Sequence, residues 1–144
     1  MRLLRAMAIH LLCLVVVLLV RVGLWVTRYQ RLRQLLVRPC PPQALPTQKG
    51  TVRGLARIVT RVARLVPDGS CLTQTISCQA LLSWKGIPTT ISVGVRKDDA
   101  ASLKAHAWLV WDGRVVLQGN AGTLRNFSKI LDLPTPILAR PVSS

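Results

Sequence analysis

The feature that most restricts the fold of this chain is an uncharged apolar run near its N-terminus. Residues 6–20, AMAIHLLCLVVVLLV, carry no charged side chain, and the run ends at Arg21. A transmembrane helix needs about 20 apolar residues, so this run is short unless Arg2, Arg5 and Arg21 extend their side chains to the membrane surface. A signal peptide is disfavoured because no small-residue cleavage site follows Val20.

A soluble core helix is the alternative. After Arg21 the sequence keeps a helical period, with arginines on one side and apolar residues on the others, and it predicts a helix continuing through Leu24, Trp25, Arg28, Leu32 and Leu35. A cationic stop at Arg21 leaves the following arginines on the cytoplasmic side under either interpretation. The predicted location is therefore the cytoplasm, and contact with a membrane surface through residues 6–38 is left open.

Prolines divide the chain. Residues 38–50, RPCPPQALPTQKG, contain four prolines, which end the helix because proline lacks the N–H group. We predict an N-terminal apolar and basic helix at 1–37, a Pro-rich linker at 38–50 and a core at 51–144. We predict that the core begins with a second amphipathic helix, which Pro67 ends. Its C-terminal tail, ILDLPTPILARPVSS, contains three prolines and is predicted to be extended.

The charge balance is strongly positive, with 20 Lys and Arg against five acids. Such a chain attracts polyanions, anionic lipids or acidic peptides. No nucleic-acid partner is predicted, because the arginines form no dense run and have no interleaved aromatic residues for stacking on bases. The four cysteines form no CxxC pair and the two histidines lie in unrelated contexts, so we expect reduced thiols, no metal and no cofactor.

One cysteine has a chemically suggestive position. The segment PDGS at residues 67–70 is a turn with a helix N-cap, which puts Cys71 in the first turn of a helix. The partial positive charge at a helix N-terminus favours a thiolate over a thiol. Cys78 lies two turns further on among isoleucine and leucine residues, and we predict that it packs in the core.

A β-sheet is predicted after this helix. The segment TTISVGV reads as a strand, and AHAWLVW and RVVLQ flank Asp112-Gly113, a strong hairpin signal. Alternation puts His106 and Trp108 on one face of their strand and Ala107 and Leu109 on the other. The predicted fold class is α+β: N-terminal helices followed by a papain- or transglutaminase-like core, in which a helix carrying cysteine packs on an antiparallel sheet. On spacing alone, a structural role for the histidine stays open.

The segment from Ser70 to Gly119 also resembles a known family. The series SCLTQTISCQALLSWKGIPTTISVGV followed by AHAWLVWDGRVV is similar to the C-terminal domain of microcin-processing proteins, a transglutaminase-like cysteine protease family of lasso peptide biosynthesis. The shared elements are Ser-Cys-Leu opening a helix, Lys-Gly-Ile-Pro, a strand ending in Val-Gly-Val, and His-Ala-Trp before an Asp-Gly turn. Together these motifs are specific for the family, whereas each motif alone would be weak evidence of membership.

The resemblance implies a catalytic segment at 68–120, with Cys71 as nucleophile and His106 as general base. The main-chain N–H of Cys71 would stabilise the oxyanion. The family's orienting Asp is expected about a dozen residues after the histidine, where this chain has Gln118, whose amide would accept the imidazole N–H. Asp112 is the alternative third member. Gln74, one helical turn after Cys71, is either a second oxyanion donor or a solvent-facing residue, and we expect it to face solvent.

The function implied is that of a stand-alone leader peptidase. It would cleave a ribosomally made precursor peptide and act with a separate leader-recognition protein and the macrocyclase of the same pathway. Two other classes stay open: a transglutaminase-like acyltransferase or amidase using the same Cys71 and His106 on another substrate, and a non-catalytic, membrane-associated basic binding protein.

Overall fold

The computed structural model describes residues 1–99 and 102–138. Helices form the N-terminal part and an antiparallel sheet forms the C-terminal part, which confirms the α+β class. The elements in chain order are α1 (Arg2–Val26), α2 (Tyr29–Leu36), a 3-10 helix (Pro46–Gln48), α3 (Lys49–Ala63), α4 (Cys71–Ser83), β1 (Thr90–Lys97), β2 (Leu103–Trp111), β3 (Arg114–Leu117), α5 (Ala121–Leu124) and β4 (Ser128–Pro134).

The sheet has four antiparallel strands in the order β3-β2-β1-β4. Asp112 and Gly113 connect β2 to β3 with φ angles of 48° and 69°, the conformation that a tight hairpin requires. The fourth strand lies in the tail that the sequence predicted only as extended: Leu133 pairs with Ile91 of β1. The end of that tail, residues 139–144, lies outside the described residues.

Helix α4 is the centre of the core. It contacts β2 and β1 on one side and α1 and α3 on the other, so almost every face of the helix is covered. Ile76, Leu82, Ile91 and Leu109 are completely buried in one cluster, which α1 enters through Cys13 and three valines at helical spacing. This arrangement places the start of α4, and with it Cys71, at one end of the core.

The prediction of one helix continuing through Leu35 is wrong. Thr27 adopts an extended conformation (φ −140°, ψ 164°), and α2 starts two residues later. The reversal brings Leu32 onto Gly23, where an added Cβ would lie 2.5 Å from Leu32 Cδ1. It also carries Arg33 to α4, where its Nε donates to Gln79 Oε1 at 2.9 Å. These tertiary contacts stabilise the break.

Residues 38–50, the predicted linker, include the 3-10 helix and the first two residues of α3, and they pack on the rest of the chain. Cys40 is fully buried; its N–H donates to Pro136 O at 2.8 Å, and its carbonyl accepts from Leu138 N at 2.9 Å. The described core contains residues from both sides of this segment. The division at 1–37, 38–50 and 51–144 therefore stays a prediction, and the last six residues of its third part are not described.

Candidate active site

Cys71 is the first residue of α4. Ser70 caps the helix: its backbone is extended and its Oγ accepts from Thr73 N at 3.3 Å. Cys71 is half-buried, whereas the other three cysteines are buried, and all four are free. The first N–H groups of a helix have no acceptor within the helix, so the Cys71 N–H is available to a ligand beside the thiol.

An arginine from α1 holds the loop before Cys71. Arg21 Nη2 pairs with Asp68 Oδ2 at 3.1 Å, and its Nε donates to Pro67 O at 3.3 Å. The guanidinium also lies over the ring of Trp25, 5.2 Å from its centroid. The cation that ends the apolar run in the sequence therefore fixes the turn that leads into the candidate nucleophile.

Cys78 packs in the core, as predicted. It is fully buried, and burial raises the pKa of its thiol from 9.0 to about 12, with the neighbouring Cys13 adding a smaller rise. A thiol with this pKa stays protonated at neutral pH, and the thiolate is the nucleophilic form. The structure therefore leaves Cys71 as the candidate nucleophile of α4.

His106 lies on β2 among aromatic rings. Its ring stacks on Trp108 with centroids 6.3 Å apart and tilts against Phe127 at 5.4 Å. Gly94 lies opposite His106 on β1, and an added Cβ there would lie 2.9 Å from Trp108 Cη2. The glycine of the Val-Gly-Val segment thus leaves room for the indole beside the imidazole. Arg96 covers Phe127 from 5.0 Å.

The partner of the imidazole is the main chain of Gln118. His106 Nε2 lies 2.6 Å from the Gln118 carbonyl oxygen. A carbonyl only accepts, so Nε2 carries the hydrogen and Nδ1 of the neutral ring keeps its lone pair for use as a base. Gln118 has φ 65°, a left-handed conformation that is uncommon outside glycine. The sequence led us to expect the side-chain amide of Gln118 at the ring, whereas the structure has the main-chain carbonyl of this residue there.

That amide instead reaches α4. Gln118 Nε2 donates to Gln74 Oε1, and Gln74 Nε2 donates to Gly69 O at 3.0 Å. The expectation that Gln74 faces solvent is therefore wrong: it is half-buried and joins two elements. Its position one turn after Cys71 was a usable signal, because i and i+3 side chains share a helix face. These bonds connect His106 to the loop that precedes the cysteine.

The structure does not bring the thiol and the imidazole into direct contact. In the part of the chain that the structure describes, no hydrogen bond joins Cys71 to the His106 ring. The ring lies on the same face of β2 as Trp108, whereas Ala107, on the opposite face, belongs to the core cluster that contains α4. Catalytic hydrogen bonds in unliganded enzymes are often long and tighten on substrate binding. Hydrogen bonds instead run from the His106 ring through Gln118 and Gln74 to Gly69, two residues before Cys71.

Asp112 is not part of this arrangement. Asp112 is exposed at the tip of the β2–β3 hairpin. It follows His106 by six residues, which at the rise of a strand corresponds to a separation of about 20 Å. Across the same described residues, no three His, Cys, Asp or Glu side chains are grouped as metal ligands.

Comparison with known proteins gives one match. Residues 14–132 match a family model described as the transglutaminase-like superfamily, and this range contains Cys71, Gln74, His106 and Gln118. No curated protein matches the chain, and no solved structure matches it.

Proposed function

This chain belongs to the transglutaminase-like superfamily, which includes cysteine proteases and acyltransferases, and on that basis we propose that it is a cysteine peptidase. Its proposed reaction is removal of the leader segment from a ribosomally synthesised precursor during lasso peptide maturation. The observation that carries the proposal is a series of hydrogen bonds from the His106 ring through Gln118 and Gln74 to Gly69, two residues before Cys71.

The proposed reaction has two steps. The Cys71 thiolate attacks the carbonyl carbon at the cleavage site, the C–N bond breaks, and the amine leaves with a proton from the His106 imidazolium. Water, deprotonated by the imidazole, then attacks the thioester, and its C–S bond breaks to release the leader carboxylate and the thiol. The Cys71 N–H supports the oxyanion of both steps, and the Gln118 carbonyl keeps Nδ1 as the basic nitrogen.

The proposed partners follow from this role. The substrate is the precursor peptide, a separate leader-recognition protein presents it, and the macrocyclase of the same pathway uses the released core peptide. The motif series from Ser70 to Gly119 supports this assignment, since it resembles the leader peptidases of lasso peptide pathways.

The proposed location is the cytoplasm, with α1 lying on a membrane surface. By length and composition α1 could cross a membrane, but Cys13, Val16, Val17 and Val20 pack on the core. A helix with one face on the protein and an apolar face exposed suits the membrane interface better than a span. The net charge of +15 favours an anionic surface.

Mass spectrometry of the precursor peptide encoded beside this gene tests the reaction, with the neighbouring candidate recognition protein added. We expect cleavage by the wild type, none by Cys71→Ala or His106→Ala, and retained cleavage by Asp112→Asn. Cys78→Ala is the matched control for Cys71→Ala, because both remove a thiol from α4. Melting curves of every variant establish that it is folded.

Heavy-oxygen water separates a peptidase from an acyltransferase. A peptidase puts the heavy oxygen into the new C-terminus of the leader, whereas an acyltransferase joins the acyl group to an added amine. Cleavage that persists in Cys71→Ala would refute the nucleophile. A folded wild type that cleaves nothing would favour the non-catalytic binding class.

A further inference from the structure

Four arginines line one side of α3. Arg53, Arg57, Arg61 and Arg64 recur every three or four residues, so they share a face of the helix, and all four are exposed. Within the residues that the structure describes, the ion pairs are made by Arg21, Lys104 and Lys129 instead. Like charges at this spacing repel one another by about 0.2–0.5 kcal/mol per pair, and no acidic side chain of the described chain offsets this.

These arginines form one wall of a groove of about 420 Å³, which we call the arginine groove. Its other wall is the end of β3 and the two residues that follow it, Val116 to Gly119. The groove therefore reaches Gln118, the residue whose carbonyl binds His106 and whose amide binds Gln74. A ligand in the groove would therefore lie beside Gln118, one residue of the candidate active site.

We infer that the arginine groove binds an acidic segment of the substrate peptide in extended conformation, an inference that rests on the proposed peptidase function. Guanidinium groups pair with carboxylates through two parallel hydrogen bonds. Successive arginines four residues apart on α3 are separated by about 6 Å along the helix, and alternate residues of an extended peptide by about 6.6 Å. A segment with Asp or Glu at alternate positions thus matches the arginines in both charge and spacing.

The length of the groove limits the segment. From Arg53 to Arg64 the helix rises about 16 Å, which corresponds to about five residues of extended chain. Specificity would then come from two or three acidic side chains close to the cleavage site. The recognition protein would hold the remainder of the leader.

Fluorescence anisotropy on the Cys71→Ala protein tests the inference without turnover. The probe is a fluorescein-labelled Glu-Ala-Glu-Ala-Glu peptide, and the reference is the same peptide with Gln in place of Glu. We expect Arg57→Gln with Arg61→Gln to weaken Glu-peptide binding about tenfold. The matched control, Arg31→Gln with Arg125→Gln, removes the same charge from exposed sites outside the groove and should change binding less than about twofold.

Two results would overturn the inference. Equal weakening by both double variants would show attraction by net charge alone, and equal binding of the Gln peptide would show that carboxylates are not recognised. In the cleavage assay, the Arg57→Gln and Arg61→Gln substitutions are made in the protein that keeps Cys71. There they should raise KM for the precursor peptide and leave kcat unchanged. Cleavage unaffected by them would refute the groove and keep the peptidase, whereas selective Glu-peptide binding without cleavage would refute the peptidase and keep the groove as a site for acidic segments.

Discussion

Helices α1 and α4 each face the core with a cysteine, yet the fold uses them in opposite ways. The more apolar helix, α1, buries only Cys13 and three valines of its 25 residues and leaves most of its leucines exposed. The shorter α4 has 13 residues, contains Thr, Ser and Gln, and is buried from Thr75 to Ser83 without interruption. The burial of these two helices therefore depends on whether they lie between the sheet and other helices, and not on their hydropathy.

The polar residues of α4 tolerate burial because each finds an acceptor or donor. Thr75 Oγ1 donates to Cys71 O at 2.9 Å, and Ser77 Oγ donates to Thr73 O at 2.7 Å. Gln79 accepts from Arg33 and donates to the carbonyls of Thr89 and Leu133, which joins α2 to the end of the sheet where β1 begins and β4 finishes. Buried polar groups with partners cost little, whereas unpaired ones cost about 1–3 kcal/mol.

The largest expected effect comes from the same substitution made in both helices. Leu82 of α4 is 0 % exposed and Leu19 of α1 is 57 % exposed. Leu82→Ala should lower the free energy of unfolding by about 2–5 kcal/mol because it leaves a cavity, and Leu19→Ala should lower it by about 0.5 kcal/mol. Urea denaturation followed by circular dichroism measures both. Similar losses would mean that α1 is as enclosed as α4 in solution.

A smaller effect is expected on membrane binding. Leu4, Leu11 and Leu18 form an exposed stripe on α1, and changing all three to Gln should weaken binding to phosphatidylcholine–phosphatidylglycerol vesicles at least about tenfold, because apolar area buried in lipid is lost. Co-sedimentation measures the partitioning.

The matched control changes two exposed apolar residues of the sheet, Leu103→Gln and Ile130→Gln. These variants should bind vesicles like the wild type, and the α1 variants should unfold at the wild-type urea concentration. If the sheet variants lose binding equally, the assignment of the membrane face to α1 is wrong.

The smallest effect concerns pH and compares the facing thiols, Cys13 of α1 and Cys78 of α4. Burial raises the pKa of both, for Cys78 from 9.0 to about 12. Above pH 9 the unfolded thiol loses its proton while the folded one keeps it, so the unfolded state binds fewer protons and stability falls as pH rises. We expect Cys78 to account for a loss of about 1 kcal/mol between pH 9 and 10.

Urea denaturation across this pH range measures that decline. Cys78→Ala should flatten it, and Cys13→Ala should flatten it less. Burial also raises the pKa of Cys40, so part of the slope should persist in both variants. An unchanged slope in Cys78→Ala would show that this thiol already titrates near its ordinary pKa in the folded protein.

Much of the fold could be predicted from interactions between residues close together in the sequence. Ser70 predicted the start of α4 because an N-cap bonds within four residues, and Asp112-Gly113 predicted the hairpin because its φ values are a property of the turn itself. The strand β4 was missed because its burial pattern has no clear alternation, every residue but Leu133 being exposed. Such a strand is recognisable only from its pairing with β1.

The candidate site divides in the same way. Cys71, His106 and Gln118 became candidates from the sequence through a helix start, a strand pattern and a family resemblance, with Asp112 as an alternative to Gln118. The role of Gln118 could not be predicted, because it depends on a φ of 65° that turns its carbonyl to His106 and its amide to α4. The same holds for Gln74, whose partner lies 44 residues away.

The sequence by itself determined the helical character of the N-terminal part, the β2–β3 hairpin, the α+β class and the position of the candidate nucleophile, because helical period, capping and turn conformation depend on neighbours in the chain. Only the tertiary structure decided that the helix breaks at Thr27, that Arg21 holds the Cys71 loop and that the polar α4 is buried while the apolar α1 is exposed. Each of these depends on contacts whose free energy exceeds the local preference of the residues involved.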